Sequence, residues 1–427
     1  MTKGEQIYEL MEELFPICRS ITGEGVRETL RVLKEVCPVL KTYEVPSGTQ
    51  VFDWVIPKEW NIRDAYVEDS EGKRVIDFNE NNLHVVGYSL PINKMLDLPE
   101  LKKMIHTYPK LPDAIPYVTS YYNETSGFCM SQNAFDKLKD GIYHAVIDSD
   151  LKDGSLTYGE ILIPGKSKKE VMFSTYICHP SMANNELSGP CVAIYLANHL
   201  LQTEHKYTYR FVFVPETIGS ITYINRNLDQ LKQNVIAGYN LSCLGDDKTY
   251  TCVSTRYGNT LSDRTAEIIL KYKFPEWNHY SFLNRGSDER QYNMPGIDIP
   301  ICGIYRSKSN EYEQYHTSLD NMEFVSAKAL QDSYVFILDL IFVIEHNAIY
   351  KNQCLCEPQL GKRGLYPKTS SRGSSKAEGA FKTIDFLAYA DGTNDLIDIA
   401  NIIGLTFKDA YEIAKKLKDA ELITNLS

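Results

Sequence analysis

The chain is 427 residues long, with 45 lysines and arginines against 56 aspartates and glutamates. That length supports roughly two to four domains with a full-sized core, and a composition of 43% hydrophobic and 24% charged residues excludes a wholly disordered polymer. A formal charge of -11 argues against a general nucleic-acid binder, which needs a basic surface to release counterions. Tyrosines outnumber phenylalanines, 29 to 16, a balance that suits polar aromatic surfaces in a peptide or carbohydrate cleft.

In chain order, residues 5–18 and 24–37 read as helices, the first acidic and amphipathic, without the features of a signal peptide. Residues 41–90 break into short strands and turns, 98–106 turn helical, and a polar, tyrosine-containing stretch runs to Asp153. From 154 onward, continuous apolar strands (EILIPG, VMFSTYICHP, YRFVFVPE, NVIAGYNLSCLG, IDIPICGIY) alternate with helices at GPCVAIYLANHLL, 260–273 and Ser326–Ile344. This is the pattern of an α/β fold, a mostly parallel sheet with helices on both faces. The longest apolar run, Tyr334–Ile344, is broken by Asp339 and too short to span a bilayer. The cysteines lack framework spacing, several sit in apolar runs (Cys129, Cys178, Cys302), and Cys354 and Cys356 are too close for an ordinary disulfide. A cytoplasmic protein with reduced thiols and no membrane segment is expected. Residues 351–380 read as a Gly/Ser/Lys-rich linker and 381–427 as a winged helix, whose mixed-sign second helix suits protein contact better than DNA. The expected domains are an α/β unit at 1–45 and 151–350, a β-rich inserted lid at 46–150, the linker and the winged helix.

Three stretches concentrate chemistry at strand ends, where open α/β sheets place ligands. In TYICHPSMANNELSGP, His179 and Glu186 lie on a loop able to fold back onto one zinc ion, or else Glu186 caps a helix and His179 fills a hydrogen-bonded niche. In FVFVPETIGS, Glu216 is a strand-end carboxylate suited to a general base, or else a structural group satisfied by loop amides. In EQYHTSLDN, His316 is followed by hydroxyl and carboxylate groups that could orient it, with Asp320 and Asn321 suited to capping the next helix. Asp288, Glu289 and Arg290 crowd a polar loop upstream, as a site or a salt-bridge network.

Together these segments resemble the zinc-dependent exopeptidase superfamily of bacterial leucyl aminopeptidases and glutamate carboxypeptidases. With IPYVTSYY, SGFCMS, GSLTYGEILIPG and SDERQY added, the chain is similar, over nearly its whole length, to a family of bacterial aminopeptidase-like proteins whose genes often accompany polysaccharide-biosynthesis genes. The resemblance implies an exopeptidase-like domain, an inserted β-rich domain and a C-terminal winged helix. It matches His179 and His316 to metal-binding histidines and Glu216 to the base. It also exposes departures: the bridging aspartate falls on Asn185, a metal-binding glutamate on Thr217, and another carboxylate on Ser242. Because a metal pair needs carboxylates to offset its charge, the expectation is one zinc per chain held by His179, Glu186 and His316, with Glu216 activating water on a peptide or amide substrate. Asp288, Arg290, Tyr315 and Asn185 are candidates for substrate binding or for supporting the metal site, and Asp288 could instead complete it. The alternative is a non-catalytic ligand-binding or regulatory protein on the same scaffold. The tyrosine-rich insertion and the appended helical unit offer surfaces for a homo-oligomer.

Overall fold

The structure, a computed structural model, describes residues 1–366 and 375–426, so part of the stretch read as linker lies outside the described residues. The chain divides into two compact units, residues 1–262 with 278–335, and residues 263–277 with 336–427.

The first unit opens with helices α1 (Lys3–Leu14) and α2 (Glu24–Val36), α1 closed by a capping box between Thr2 and Glu5. Strand β1 (Lys41–Pro46) leads into an inserted segment whose antiparallel sheet is built from β2 (Glu59–Glu68), β3 (Arg74–Asp77), β4 (Ile92–Asp97) and β5 (Ile142–Lys152), ordered β3-β2-β5-β4. Within the 41–90 stretch of expected short strands, residues 82–89 form only a short 3-10 turn and isolated bridges. Val85, Val86 and Tyr88 are all buried, without the alternation of a one-faced strand.

The main sheet then assembles from β6 (Ser155–Ile163), β7 (Glu170–Tyr176), β8 (Thr208–Val214), β9 (Val235–Leu241), β10 (Thr251–Val253), β11 (Asn278–Tyr280) and β12 (Ile301–Tyr305). Its eight strands are ordered β1-β6-β8-β7-β9-β12-β10-β11. The central four, β8-β7-β9-β12, run parallel, and β1, β6 and β10 pair antiparallel to their inner neighbours. Strands β7 and β8 are buried along their whole length, as strands covered on both faces must be. Phe173 stacks on Phe211 and Tyr239 with ring centroids 5.0 and 5.6 Å apart, which ties β7 to both neighbours.

Crossovers α3 (Ser188–Leu200) and α4 (Ile218–Asn234) follow β7 and β8. Helix α3 is almost entirely buried, and a distorted turn at Ala183–Leu187 precedes it, with Asn185 non-helical. Further helices occupy Leu261–Lys273 and Ala327–His346, each crossed by the division into units.

In the second unit a three-stranded antiparallel sheet joins β13 (Ile349–Asn352), β14 (Asp391–Asp395) and β15 (Ile423–Asn425), with β13 in the middle. Helices α5 (Ser375–Tyr389), α6 (Leu396–Ile403) and α7 (Phe407–Asp419) complete it, α6 ending at Gly404 in the left-handed region. Residues of the stretch read as linker therefore enter β13 and α5. All ten cysteines are free, and no helix of the described residues is long and apolar enough to cross a membrane.

Gly189 fixes how closely α3 approaches the sheet. A Cβ there would sit 2.4 Å from the Leu241 carbonyl oxygen and 2.5 Å from Thr175 Oγ1. Gly189→Ala is expected to lower stability by about 1–3 kcal/mol or more through overpacking. Gly141→Ala, whose Cβ would meet open space, should leave the urea midpoint nearly unchanged. Equal midpoints for the two variants would refute this account of the helix–sheet contact.

Candidate functional site

The candidate strand-end residues come to the carboxyl end of the parallel strands. Strand β7 delivers Cys178 and His179, β8 delivers Glu216, β9 delivers Ser242, and the loop after β12 carries His316. Several of the connecting residues adopt positive φ without being glycine: Ser181, Thr217, Cys243 and His316. Thr217, at φ 65 and ψ -76, is the centre of a strained γ-turn in which the Ile218 N–H donates to the Glu216 carbonyl. Asp288 holds that turn, its Oδ1 accepting from Thr217 N–H at 2.7 Å and from the Ser220 hydroxyl at 2.8 Å, and Arg290 Nη2 donates to Thr217 Oγ1 at 2.6 Å.

Glu186 is fully buried and its carboxylate is already committed. Oε2 accepts from the backbone N–H of Cys178 and His179, at 2.5 and 2.8 Å, and pairs with His179 Nδ1 at 3.0 Å. Oε1 accepts from Arg19 Nε at 3.0 Å, with both side chains wholly inaccessible. Glu186 thus orients the imidazole from behind, the carboxylate–histidine arrangement that fixes a ring's tautomer. The opposite nitrogen, Nε2, lies 3.9 Å from Glu216 Oε2. The His316 ring lies 5.2 Å from that of His179, and its Nε2 is committed to a 3.0 Å hydrogen bond with Asn185 Oδ1. Asn185 Nδ2 in turn donates to Tyr176 OH and, at 3.3 Å, to Ser242 Oγ, and those two hydroxyls are 2.6 Å apart. Asp320 holds the loop from below, accepting from the N–H groups of Asn184 and Asn185 at 2.6 and 2.9 Å.

His179, Glu186 and His316 consequently do not converge on one point, and the expectation that they share an ion is corrected by this geometry. Among the described residues, the one group of three His, Cys, Asp or Glu residues packed closely enough to hold a metal is Cys178, His179 and Glu186. By composition that is a possible metal site, but its chemistry is poor for one. Glu186 already takes its positive charge from Arg19 and accepts from two backbone N–H groups, so its carboxylate is committed within the protein. No carboxylate faces His316 Nε2, which meets an amide oxygen. The residues present therefore do not fit the one-zinc set expected from the sequence, nor a metal pair.

Glu216 is the reactive carboxylate of the site. Its side chain keeps 24% of its surface exposed, yet it lies deep enough that burial raises its proton affinity against the lowering effect of His179 and Arg290. Burial alone would lower the His179 pKa, but the Glu186 hydrogen bond and charge outweigh it and raise it. His316 is held neutral by burial and by the nearby His179 charge. Glu216, Cys178 and Thr217 line a pocket of about 270 Å³ with Ile21, Trp54, Tyr121, Tyr122 and Ile218. A second, larger pocket of about 580 Å³ reaches Tyr315 and His316 and is lined by Tyr108, Lys110, Tyr117, Glu311 and Glu313 among others. Tyr117 stands between them, its ring 5.2 Å from His179 and 5.1 Å from His316, and its hydroxyl 2.8 Å from that of Tyr121. Tyr315 stacks on His316 at 3.9 Å. Sequence reasoning gave no role to Arg19, Tyr117 or Tyr176, and read Asp320 as a helix cap or a support for His316, where the structure has it holding the Asn184 and Asn185 amides. Only the aromatic run YVTSYY offered a signal, for Tyr117 and Tyr121.

A mostly parallel eight-stranded sheet with its polar residues gathered at the carboxyl ends defines an aminopeptidase-like fold, and solved structures share it. The zinc aminopeptidase BSAP from Bacillus subtilis superposes with a TM-score of 0.58 at 12% identity, covering 81% of this chain and 95% of that one. A peptidase M28 precursor from Shewanella amazonensis gives 0.54 at 12% identity, over 83% and 97%. The chain belongs to the DUF4910 family, described as a domain of unknown function, whose model matches residues 8–347; a winged helix-turn-helix family matches 348–425. A Clostridium acetobutylicum protein named for polysaccharide biosynthesis and an aminopeptidase-like domain is 47% identical over 98% of this chain and 96% of its own length. A crystal structure from the same organism, named as a peptidase, matches with a TM-score of 0.93 at 46% identity, over 99% and 96%.

Two predictions test this geometry. Glu186→Ala leaves the Arg19 guanidinium buried without its partner and is expected to cost about 3–5 kcal/mol of unfolding free energy. A loss below about 1 kcal/mol, typical of exposed pairs, would show that the clamp is not structural. Asp288, buried beside Glu216, has its pKa raised to about 7 from an ordinary 3.8. The folded state then binds a proton that the unfolded chain has released, so stability falls as pH rises from about 4 to about 7. Against Asp288→Asn, the melting temperature of wild type should fall behind progressively across that window and then stay a constant distance below. A difference that does not vary with pH would contradict the raised value.

Proposed function

We propose that the chain is an aminopeptidase-like hydrolase acting on a small peptide- or amide-bearing substrate, with Glu216 as the group that takes the proton from water. The observation that supports this most directly is Glu216 itself, a strand-end carboxylate of raised proton affinity that lines a mostly apolar pocket beside His179. A base works best when its pKa approaches the working pH, and burial moves Glu216 in that direction. As the water oxygen bonds to the carbonyl carbon, its proton passes to Glu216; the same proton then moves to the departing nitrogen as the C–N bond breaks. With no fitting donor set for an ion, no step is routed through one. The cationic groups beside Glu216 for charge developing on the carbonyl oxygen are the His179 imidazole, oriented by Glu186, and the Arg290 guanidinium.

The exchange of carboxylates for Asn185, Thr217 and Ser242 favours a second reading, a ligand-binding scaffold without turnover. One experiment separates them: wild type and Glu216→Gln are assayed against a panel of peptides, aminoacyl amides and N-acyl amides, with ligand-induced melting shifts measured in parallel. Hydrolysis by wild type that drops about 10²–10⁴-fold in Glu216→Gln, with the melting shift retained, is expected for a general base. Melting shifts without hydrolysis in either protein would establish the binding reading instead.

A further inference from the structure

We infer that this chain has exchanged the metal centre of its fold for a closed, uncharged hydrogen-bond network, so that the cleft keeps its shape and works without an ion. The network consists of Asn185, Tyr176, Ser242 and His316. Asn185, Tyr176 and Ser242 are 1%, 3% and 1% exposed, and their polar atoms answer one another. None of these four side chains is among the buried groups that lack a hydrogen-bond partner in the described residues. A site built to hold a dication has the opposite signature, acidic lone pairs crowded together and dependent on the ion to offset their repulsion. Here the imidazole nitrogen that would face an ion is already engaged, and its partner is an amide that carries no charge.

The neighbouring exchange points the same way. Thr217, where the resemblance places a ligating glutamate, receives the Arg290 guanidinium at 2.6 Å, so a cation stands against a position that would otherwise carry an anion. Asn185, Thr217 and Ser242 thus remove three negative charges, and Arg290 adds a positive one. A divalent ion entering this pocket would lose its water shell and gain no carboxylate at any of the three positions.

The test uses the full chain and zinc alone. Wild type and the variant Asn185→Asp/Thr217→Glu/Ser242→Asp are equilibrated with about 10 µM free zinc, enough to fill any site with a dissociation constant near 1 µM or below, then freed of unbound metal and analysed for zinc. Wild type is expected to hold a substoichiometric amount. The variant should hold close to two ions per chain and gain several degrees of melting temperature on zinc addition. Stoichiometric zinc in wild type, at the Cys178–His179–Glu186 cluster or elsewhere, overturns the inference. So does a folded variant that still binds none, because the three neutral residues would then not be what excludes the ion. Should the variant not fold, the melting temperature of wild type in excess zinc and in excess chelator decides: equal values support the inference, and a rise with zinc overturns it. Because zinc content and melting are read without substrate, failure of the hydrolase reading would leave this result standing, and the reverse.

Discussion

The site depends first on one buried carboxylate. Glu186 gathers two backbone N–H groups, one imidazole nitrogen and one guanidinium, and each belongs to a different demand of the fold. The backbone groups fix the turn where β7 ends, the imidazole fixes which nitrogen of His179 looks toward Glu216, and Arg19 ties the connection between α1 and α2 to the sheet. A buried charge pair contributes little net stability compared with an apolar substitute, but breaking it leaves a charge without water or partner. Its value here is specificity of arrangement: with all its bonds made, Glu186 permits one orientation of the imidazole. Asp320 does the same for the next stretch of loop, holding the Asn184 and Asn185 amides so that Asn185 can meet His316.

Much of this architecture is written in the local pattern of the chain. The parallel strands are legible because a strand covered on both faces must be apolar throughout, and β7, β8 and β9 are the longest such runs between turn residues. Polar residues that interrupt such runs at their carboxyl ends are legible as a site for the same reason, and His179, Glu216 and His316 do come to one end of the sheet. The direction of each side chain is not legible. Whether Glu186 sits in front of His179 or behind it depends on Arg19, 167 residues earlier in the chain, and no spacing rule reports that. The covering role of Tyr117 is hidden similarly, since the bridge between Pro116 and Thr317 joins the insertion to the His316 loop across about half the chain.

Charge arithmetic was legible only in part. The sequence shows three carboxylates replaced by neutral residues, and the step from there to one zinc assumed that Glu186 was free to compensate. The structure removes that freedom, because a buried carboxylate accepting from two amides, an imidazole and a guanidinium is held facing inward, away from Glu216 and His316. The second unit contrasts with this. Helices α6 and α7 and strand β15 fall within the stretch read as a winged helix, whereas the end of β13 and the start of α5 lie in the stretch read as linker, whose Gly/Ser/Lys composition hid them.

What remains unsatisfied is as informative as what is bonded. Around Glu216, two buried polar atoms have no hydrogen-bond partner, Asp288 Oδ2 and Arg290 Nε. Both groups hold Thr217 through their other atoms, at a turn whose backbone is strained. An unpaired buried polar atom costs about 1–3 kcal/mol, and a β-branched residue in a positive-φ γ-turn costs a further 1–3 kcal/mol or so. A fold that tolerates both at the same turn places strain where Glu216 lines the pocket. In a hydrogen-bonded network with so little slack, the place to expect chemistry or ligand-induced ordering is the turn that is not yet at rest.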